Sequence, residues 1–440
     1  GLTAVLPPLL AGRVFLGIVL LLMLSGTVAL HRAIHGRVSP WPVLAAFFAY
    51  NWIFLFGFIN YLFGVGVMLW SLAAWLALAR APVVHRVAAG TVLAIVTLFC
   101  HLVAFGLFAV VLGGLALTDA FTRWRETGRL AIGTLLVPAI PVGITLALFV
   151  TLSPTAGEAR QPFEYAGWYG WKPLIAYRTL LWSIPWLNVA TLVPMAAMIV
   201  AAAWRGRLVL AKIMILPLIL LCLTFIAMPN MLFGGQYADA RLPTAILLAG
   251  IATVDLVRVP GRAFLAGSAL AVALLIFHSA VIAQAWHATV PLFAEYEKAF
   301  DRLPPGATLY AASAEPFPKL AYDSPAELAR WNPPLKHVVS LASIGRDVFV
   351  PSTWADPFQQ PIAVLPAGLP AWRLQAGAPF LTPSADKLAA VAARINSLRA
   401  PGTESHDFLL LSRPSAMLGA PPPDLVPIAR GDSFTLFKVE

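Results

Sequence analysis

The feature that most constrains this chain is a set of apolar runs as long as a bilayer is thick. A helix rising 1.5 Å per residue needs about 20 apolar residues to cross the hydrocarbon layer. Stretches such as 11–30, 130–152 and 263–285 reach that length with no more than one Lys, Arg, Asp or Glu each. Over the whole sequence 60% of residues are hydrophobic and 11% charged, against roughly 25% charged for an ordinary soluble domain. A globular core cannot absorb so much apolar side chain, so lipid has to be part of the solvent.

Ten such runs can be drawn, at 11–30, 41–56, 57–79, 87–100, 102–117, 130–152, 188–204, 208–228, 241–257 and 263–285. An eleventh apolar stretch, 173–187, holds Arg178 and Pro185 and reads as interfacial or re-entrant. The sequence therefore predicts an α-helical polytopic membrane protein of about ten membrane helices, some short or re-entrant, over residues 1–288. Arg32 and Arg37, Arg80 and Arg86, Arg123 to Arg129, Arg205 to Lys212, and Arg258 with Arg262 fall in alternate loops. Cytoplasmic loops retain the basic excess, so these five form the inner set. The scheme requires the pair 41–79 to turn near Gly57 and the pair 87–117 to turn near His101. Loops 153–172 and 229–240, residues 1–10 and everything after Trp286 then face outward. An outward start at Gly1, with no basic signal-peptide region, leads us to expect one further helix upstream.

Charge divides unevenly. Residues 1–301 hold 18 Lys or Arg and 9 Asp or Glu, whereas residues 302–440 hold 12 and 11. The basicity belongs to the membrane part, where it sets orientation, and gives no reason to expect a nucleic-acid partner. Cys100 and Cys222 both lie in apolar runs, which excludes a disulfide framework for the remainder.

After Trp286 the pattern changes. Residues 289–301 read as a connector, and Leu303-Pro304-Pro305-Gly306 marks a boundary. Strand-like runs at 307–312, 337–341, 347–350, 407–412 and 433–438, with an amphipathic helix at 384–399, predict a small C-terminal α/β soluble domain over 302–440, on the non-cytoplasmic side. The segment 414–427 reads as a Pro-rich loop.

Polar groups in hydrocarbon are costly enough to need a partner or a purpose, so they are where function should show. The stretch 51–66, NWIFLFGFINYLFGVG, sets Asn51 and Asn60 beside aromatic residues and glycines; it serves helix packing or lines a cavity. His101 sits at the break between two short helices, where it binds a phosphate, relays a proton or satisfies a free backbone group. His278 stands alone on an apolar helix. In 228–245, MPNMLFGGQYADARLPTA, Asp239 and Arg241 precede a helix expected to begin near Leu242-Pro243. Arg241 there is either a clamp for a lipid phosphate or half of a capping pair with Asp239. The outward loop through 178 carries Glu164, Lys172 and Arg178 among tyrosines and tryptophans, which belong to an interfacial belt or grip a sugar. Phosphate-loop, HExxH, GxSxG and CxxC patterns are absent, and no residue is assigned as a metal ligand.

The strings AGRVFLGIVLLLMLSGTVALHRAIHGR, YNWIFLFGFINYLFGVGVMLW, FCHLVAFGLFAVV and MLFGGQYADARLP, with QQPIAVLP and HDFLLLSRP further on, resemble a group of bacterial multi-pass proteins whose architecture is similar to the GT-C class of membrane glycosyltransferases. That resemblance implies an inner-membrane protein with a periplasmic C-terminal domain. It also implies a polyprenyl-phosphate-linked sugar donor, inverting transfer at the periplasmic face and, in many members, a divalent metal. In that class the catalytic carboxylate usually follows the first membrane helix. Residues 1–10 contain no acid, so the catalytic residue is expected upstream of Gly1, and none is carried over. Inverting transfer needs a base and a positive charge for the departing phosphate. Arg241 would supply the charge, with Lys172, Arg178 or His101 as helpers. A non-enzymatic envelope scaffold or glycan-binding protein is the alternative, and a transporter the third, disfavoured by the scarcity of intramembrane charge.

Overall fold

In a computed structural model the chain is mostly helical and divides into two compact units, one covering Ala11–Val281 and the other Ile282–Glu440 with Thr3–Leu10. The structure describes residues 2–129, 131–152, 165, 168–181, 184–232, 235–315, 337–355, 362–399 and 404–440.

The helices of the first part are α1 (Pro8–His35), α2 (Trp52–Leu55), α3 (Ile59–Ala77), α4 (Val83–Cys100), α5 (Leu102–Thr127), α6 (Ile132–Leu152), α7 (Trp168–Leu181), α8 (Pro185–Trp204), α9 (Ile215–Ala227), α10 (Ala238–Thr253) and α11 (Gly261–His287). Among the described residues seven helices are long and apolar enough to cross a membrane: α1, α3, α4, α5, α6, α8 and the one starting at Gly261. The protein is thus a multi-pass membrane protein, with seven such helices among the described residues against the expected ten or so.

Three of the ten runs do not form spanning α-helices, each for a specific reason. The run 41–56 is a 3-10 segment, Trp41–Phe48, followed by the single turn α2. Asn51 makes the break: its side chain donates to the Phe48 carbonyl and accepts from the Phe54 amide, ending one segment and capping the next. The run 208–228 gives up its start to strand β1 (Leu208–Leu210), leaving α9 with 13 residues. The run 241–257 forms α10, which begins earlier, at Ala238, and stops at Thr253, where β2 (Val254–Leu256) peels away to pair antiparallel with β1. At 16 residues, α10 is about 24 Å long, short of the hydrocarbon thickness. It is buried along most of its length, from Ala238 to Thr253.

The expected turns at Gly57 and His101 are present. Gly57 adopts φ +92 between α2 and α3, a conformation that favours glycine, and His101 separates α4 from α5. The 3-10 segment runs beside α10, with the Trp41 indole donating to the Ile251 carbonyl. At the other end of α10, Tyr61 at the start of α3 donates to the Arg241 carbonyl. Residues 41–56 therefore traverse the depth of the bundle as an irregular segment.

Helices α1 and α3 cross at glycines. A Cβ on Gly66 would lie 2.7 Å from the Leu22 Cβ, and one on Gly26 would lie 2.9 Å from the Gly66 carbonyl oxygen. Small residues allow this approach where apolar burial offers no net drive between helices.

In the second unit, α12 (Val290–Phe300) precedes β3 (Ala307–Ser313), β4 (Val348–Phe349), α13 (Leu369–Gln375), β5 (Phe380–Leu381), α14 (Ala385–Asn396), β6 (Asp407–Ser412), β7 (Leu425–Arg430) and β8 (Phe434–Val439). The sheet order is β4-β3-β6-β8-β7, with β5 also on β3; β3 is parallel to β4, β5 and β6, and β8 is antiparallel to β6 and β7. Alternation along β3 and β6 feeds two cores. Leu309, Ala311, Phe408 and Leu410 face α12, while Tyr310, Ala312, Leu409 and Leu411 face α14. Both faces are covered, which is why these strands read as unbroken apolar runs.

Here too there are corrections. The supposed connector 289–301 contains α12, whose Tyr296 stacks on Phe434 with ring centroids 4.3 Å apart. The strand expected at 337–341 is a 3-10 turn, Val338–Ser343, because a short apolar run does not by itself distinguish a strand from a helical segment. Strand β7 takes in the end of the supposed Pro-rich loop; as an edge strand with a bulge at Pro427 it tolerates the missing N–H.

Replacing Gly66 with Leu should drive α1 off α3 and destabilise the bundle by about 2 kcal/mol. Gly17→Ala, at a position where a Cβ meets nothing within 4 Å, should leave thermal unfolding of the detergent-solubilised protein unchanged.

Candidate functional site

Four of the polar residues singled out in the sequence, Asp239, Arg241, Lys172 and His101, lie around the N-terminal end of α10. The chain enters this helix through Tyr237, which has φ 59, an uncommon backbone state for a residue with a side chain. The Ala238 amide donates to the Asn230 carbonyl, and Leu232 and Gly235 exchange backbone hydrogen bonds just before it. The residues that follow are held in a fixed place relative to α2, α3 and α7.

Asp239 and Arg241 do not pair with each other. Asp239 is buried in the first turn of α10, where a negative charge meets the positive end of the helix dipole. Its Oδ2 lies 2.8 Å from the Lys172 ammonium, and its Oδ1 accepts from the Ala240 amide and, at 3.4 Å, from Asn230. Lys172 is buried too, and also donates to the Met228 carbonyl at 2.6 Å. A charge pair excluded from water holds only when its remaining hydrogen bonds are met, and here most of them are. Lys172 is therefore a structural partner of Asp239 that joins α7 to α10, and no longer a free cation for a ligand.

Arg241 is differently placed. Its guanidinium lies over the Phe58 ring, 4.3 Å from the centroid, and one terminal nitrogen donates to the Gln236 carbonyl at 3.2 Å. The Nε is buried without a hydrogen-bond partner, and among the described residues no carboxylate is in ion-pair reach of the group. Cation–π contact orients a guanidinium without neutralising it, so Arg241 keeps its full charge beside the dipole-positive end of α10.

Around Arg241 stands an aromatic wall. Trp52, Phe56 and Tyr237 meet with ring centroids between 4.8 and 5.6 Å apart, and Phe58 lies 4.9 Å from Phe56. Tyr61, whose hydroxyl is used by the Arg241 carbonyl, meets His101 edge to face at 5.2 Å. His101 caps α5: its Nδ1 accepts from the Val103 amide, which leaves Nε2 as the protonated nitrogen of the neutral ring. Gly64 makes room for this histidine, since a Cβ there would lie 2.8 Å from the His101 Cβ. The glycines of 51–66 thus serve close packing and at the same time set the position of a site residue.

Asn60 is exposed and turns its Oδ1 to the adjacent Tyr61 amide, making no hydrogen bond to Arg241, His101 or Lys172. The backbone of Arg178 belongs to α7, but its side chain, like the whole of Glu164, lies outside the described residues. Among the described residues no three His, Cys, Asp or Glu converge as metal ligands would.

Sequence reasoning passed over Phe58, Tyr61 and Tyr237, which read only as membrane aromatics. It also passed over a second polar cluster at the opposite end of α10. There the buried Asp255 accepts from Arg37 at 2.6 Å and lies 3.4 Å from His31 Nε2; the His31 ring lies 4.4 Å from that of His35 at a tilt of 35°, and His35 reaches the Thr253 carbonyl. The available signal was an acid closing an apolar run, with basic residues in the loop after α1. His278, the lone histidine of α11, is buried beside Thr191 and Phe47.

Lys172→Met should destabilise the protein by about 3–5 kcal/mol, because it leaves the Asp239 carboxylate buried and unpaired. The double variant Lys172→Met/Asp239→Asn should recover a large part of that loss in thermal unfolding, whereas strictly additive losses would mean the pair is not coupled.

No protein-family model, curated protein or solved structure matches this chain, so its functional reading rests on the residues themselves.

Proposed function

We propose that this protein is a GT-C-like membrane glycosyltransferase that acts at the periplasmic face of the bacterial inner membrane on lipid-linked sugar, in the assembly of envelope polysaccharide or glycolipid. The observation that carries the reading is Arg241: a guanidinium set over Phe58 at the head of a buried helix, with its Nε unpaired and no carboxylate neutralising it among the described residues.

Such a group is suited to a phosphate. The helix end favours an anion, the planar fork of an arginine matches phosphate oxygens, and the nearby His101 Nε2–H is a second donor whose ring is fixed by its capping bond. The wall of Trp52, Phe56, Phe58 and Tyr237 offers apolar faces to an isoprenoid chain or to the C–H face of a sugar. Positive charge at this position stabilises the phosphate that departs when the sugar is transferred. Asp239, held by Lys172 and Asn230, orients the helix end and is not free to act as the base that deprotonates the acceptor.

Native mass spectrometry of the detergent-solubilised full chain with a polyprenyl phosphate tests this. Arg241→Ala should weaken binding about tenfold or more, the scale of a charge-assisted hydrogen bond. Arg241→Lys should keep part of the affinity as a point charge, and the uncharged polyprenol should bind both forms alike. Equal binding of the phosphate to wild type and Arg241→Ala would overturn the reading.

A further inference from the structure

A second feature lies in the same unit, at the β1–β2 end of the helices. The 3-10 segment 41–48, α8 and α11 do not close on one another, and leave a groove of about 350 Å³. Its walls are apolar: Trp41, Leu44 and Phe47 on one side, Met195 and Met198 on α8, Ala271 and Leu275 on α11. Helix α11 opens it with small residues, since Ala263, Gly267, Ser268 and Ala271 all line the gap. His278 is the one buried residue among the described positions of that helix.

One end of the groove is charged. Arg205 and Arg207 line it beside Leu256 and Val259, and the Arg207 carbonyl accepts from the Val257 amide, which fixes this end against β2. Arg205 is exposed, with one terminal nitrogen on the Ala201 carbonyl. Among the described residues neither arginine is in an ion pair; Asp255, the acid of β2, is taken by Arg37 and His31. The groove is therefore apolar over most of its lining, with two guanidinium groups at one end that no acid among the described residues neutralises. That is the pattern of a phospholipid: an acyl chain for the apolar length and an anionic headgroup for the arginines.

We propose that this groove is a binding site for an anionic phospholipid of the surrounding membrane, with one acyl chain between α8 and α11 and the headgroup phosphate on Arg205 and Arg207. The charge complementarity selects an anionic over a zwitterionic lipid, because each surface arginine adds attraction for net negative charge, while the acyl chain contributes by apolar burial whatever the headgroup. The site lies at the other end of α10 from Arg241 and does not depend on the function proposed for that residue.

The test is lipid retention by the full chain in native mass spectrometry, with phosphatidylglycerol against phosphatidylcholine of the same acyl composition. Wild type should retain phosphatidylglycerol about tenfold better, from two arginines near the headgroup. Arg205→Ala/Arg207→Ala should bring the two lipids close to equal. Gly267→Leu fills a position where a Cβ meets nothing within 4 Å. It should lower retention of phosphatidylglycerol several-fold while thermal unfolding stays unchanged. Arg241→Ala should leave the headgroup preference intact. Equal retention of both lipids by wild type, an unchanged preference in the double arginine variant, or loss of the preference in Arg241→Ala instead would each overturn the proposal.

Discussion

The bundle depends on how α10 is held. A helix of 16 residues, buried on nearly every side and too short to span, carries an acid in its first turn and is followed by another just past its end. A buried carboxylate is tolerable only if paired and hydrogen bonded. Asp239 is tied to Lys172 on α7, and Asp255 to Arg37 after α1. Each pair joins segments far apart in sequence, so the two ends of α10 set where α1, α7 and the 3-10 segment 41–48 must lie. The strand pair β1–β2 adds backbone hydrogen bonds at the second end, and Tyr61 adds one at the first.

Against this fixed element the irregular backbone becomes intelligible. Non-helical chain at membrane depth is allowed where protein covers it, and residues 41–56 run along α10, with the Trp41 indole on the Ile251 carbonyl. The break at Asn51 and the turn at Gly57 direct Trp52, Phe56 and Phe58 to the end of α10 where Arg241 lies. Packing and site have one cause here: the glycines that let α3 approach α1 and His101 also place Tyr61 and His101 beside each other.

The arginines differ in what surrounds them, and the difference is chemical. Arg37 meets a buried carboxylate and is consumed by it. Arg241 meets an aromatic face, and Arg205 and Arg207 meet an apolar groove, so these three retain charge that a phosphate could use. Lysine shows the same contrast within one cluster: Lys172 has the same sign as Arg241 but is bound to Asp239 and the Met228 carbonyl. Residue type alone gives no access to this distinction.

The sequence by itself determined the membrane character, the apolar runs 11–30 and 130–152 that lie in α1 and α6, the turns at Gly57 and His101, and the strands β3, β6 and β8. These follow from composition, run length and period, which are local quantities. It also brought out Asp239, Arg241, His101 and Lys172, because polar groups stand out against hydrocarbon. Only the tertiary structure decided that 208–228 and 241–257 are not spanning α-helices, since Leu208–Leu210 and Val254–Leu256 pair with each other as strands, whereas the break in 41–56 is made locally by Asn51. It alone decided that Asp239 pairs with Lys172 and that no acid among the described residues pairs with Arg241, because a charge's partner at this depth is chosen by which helices cross there, and that choice is non-local.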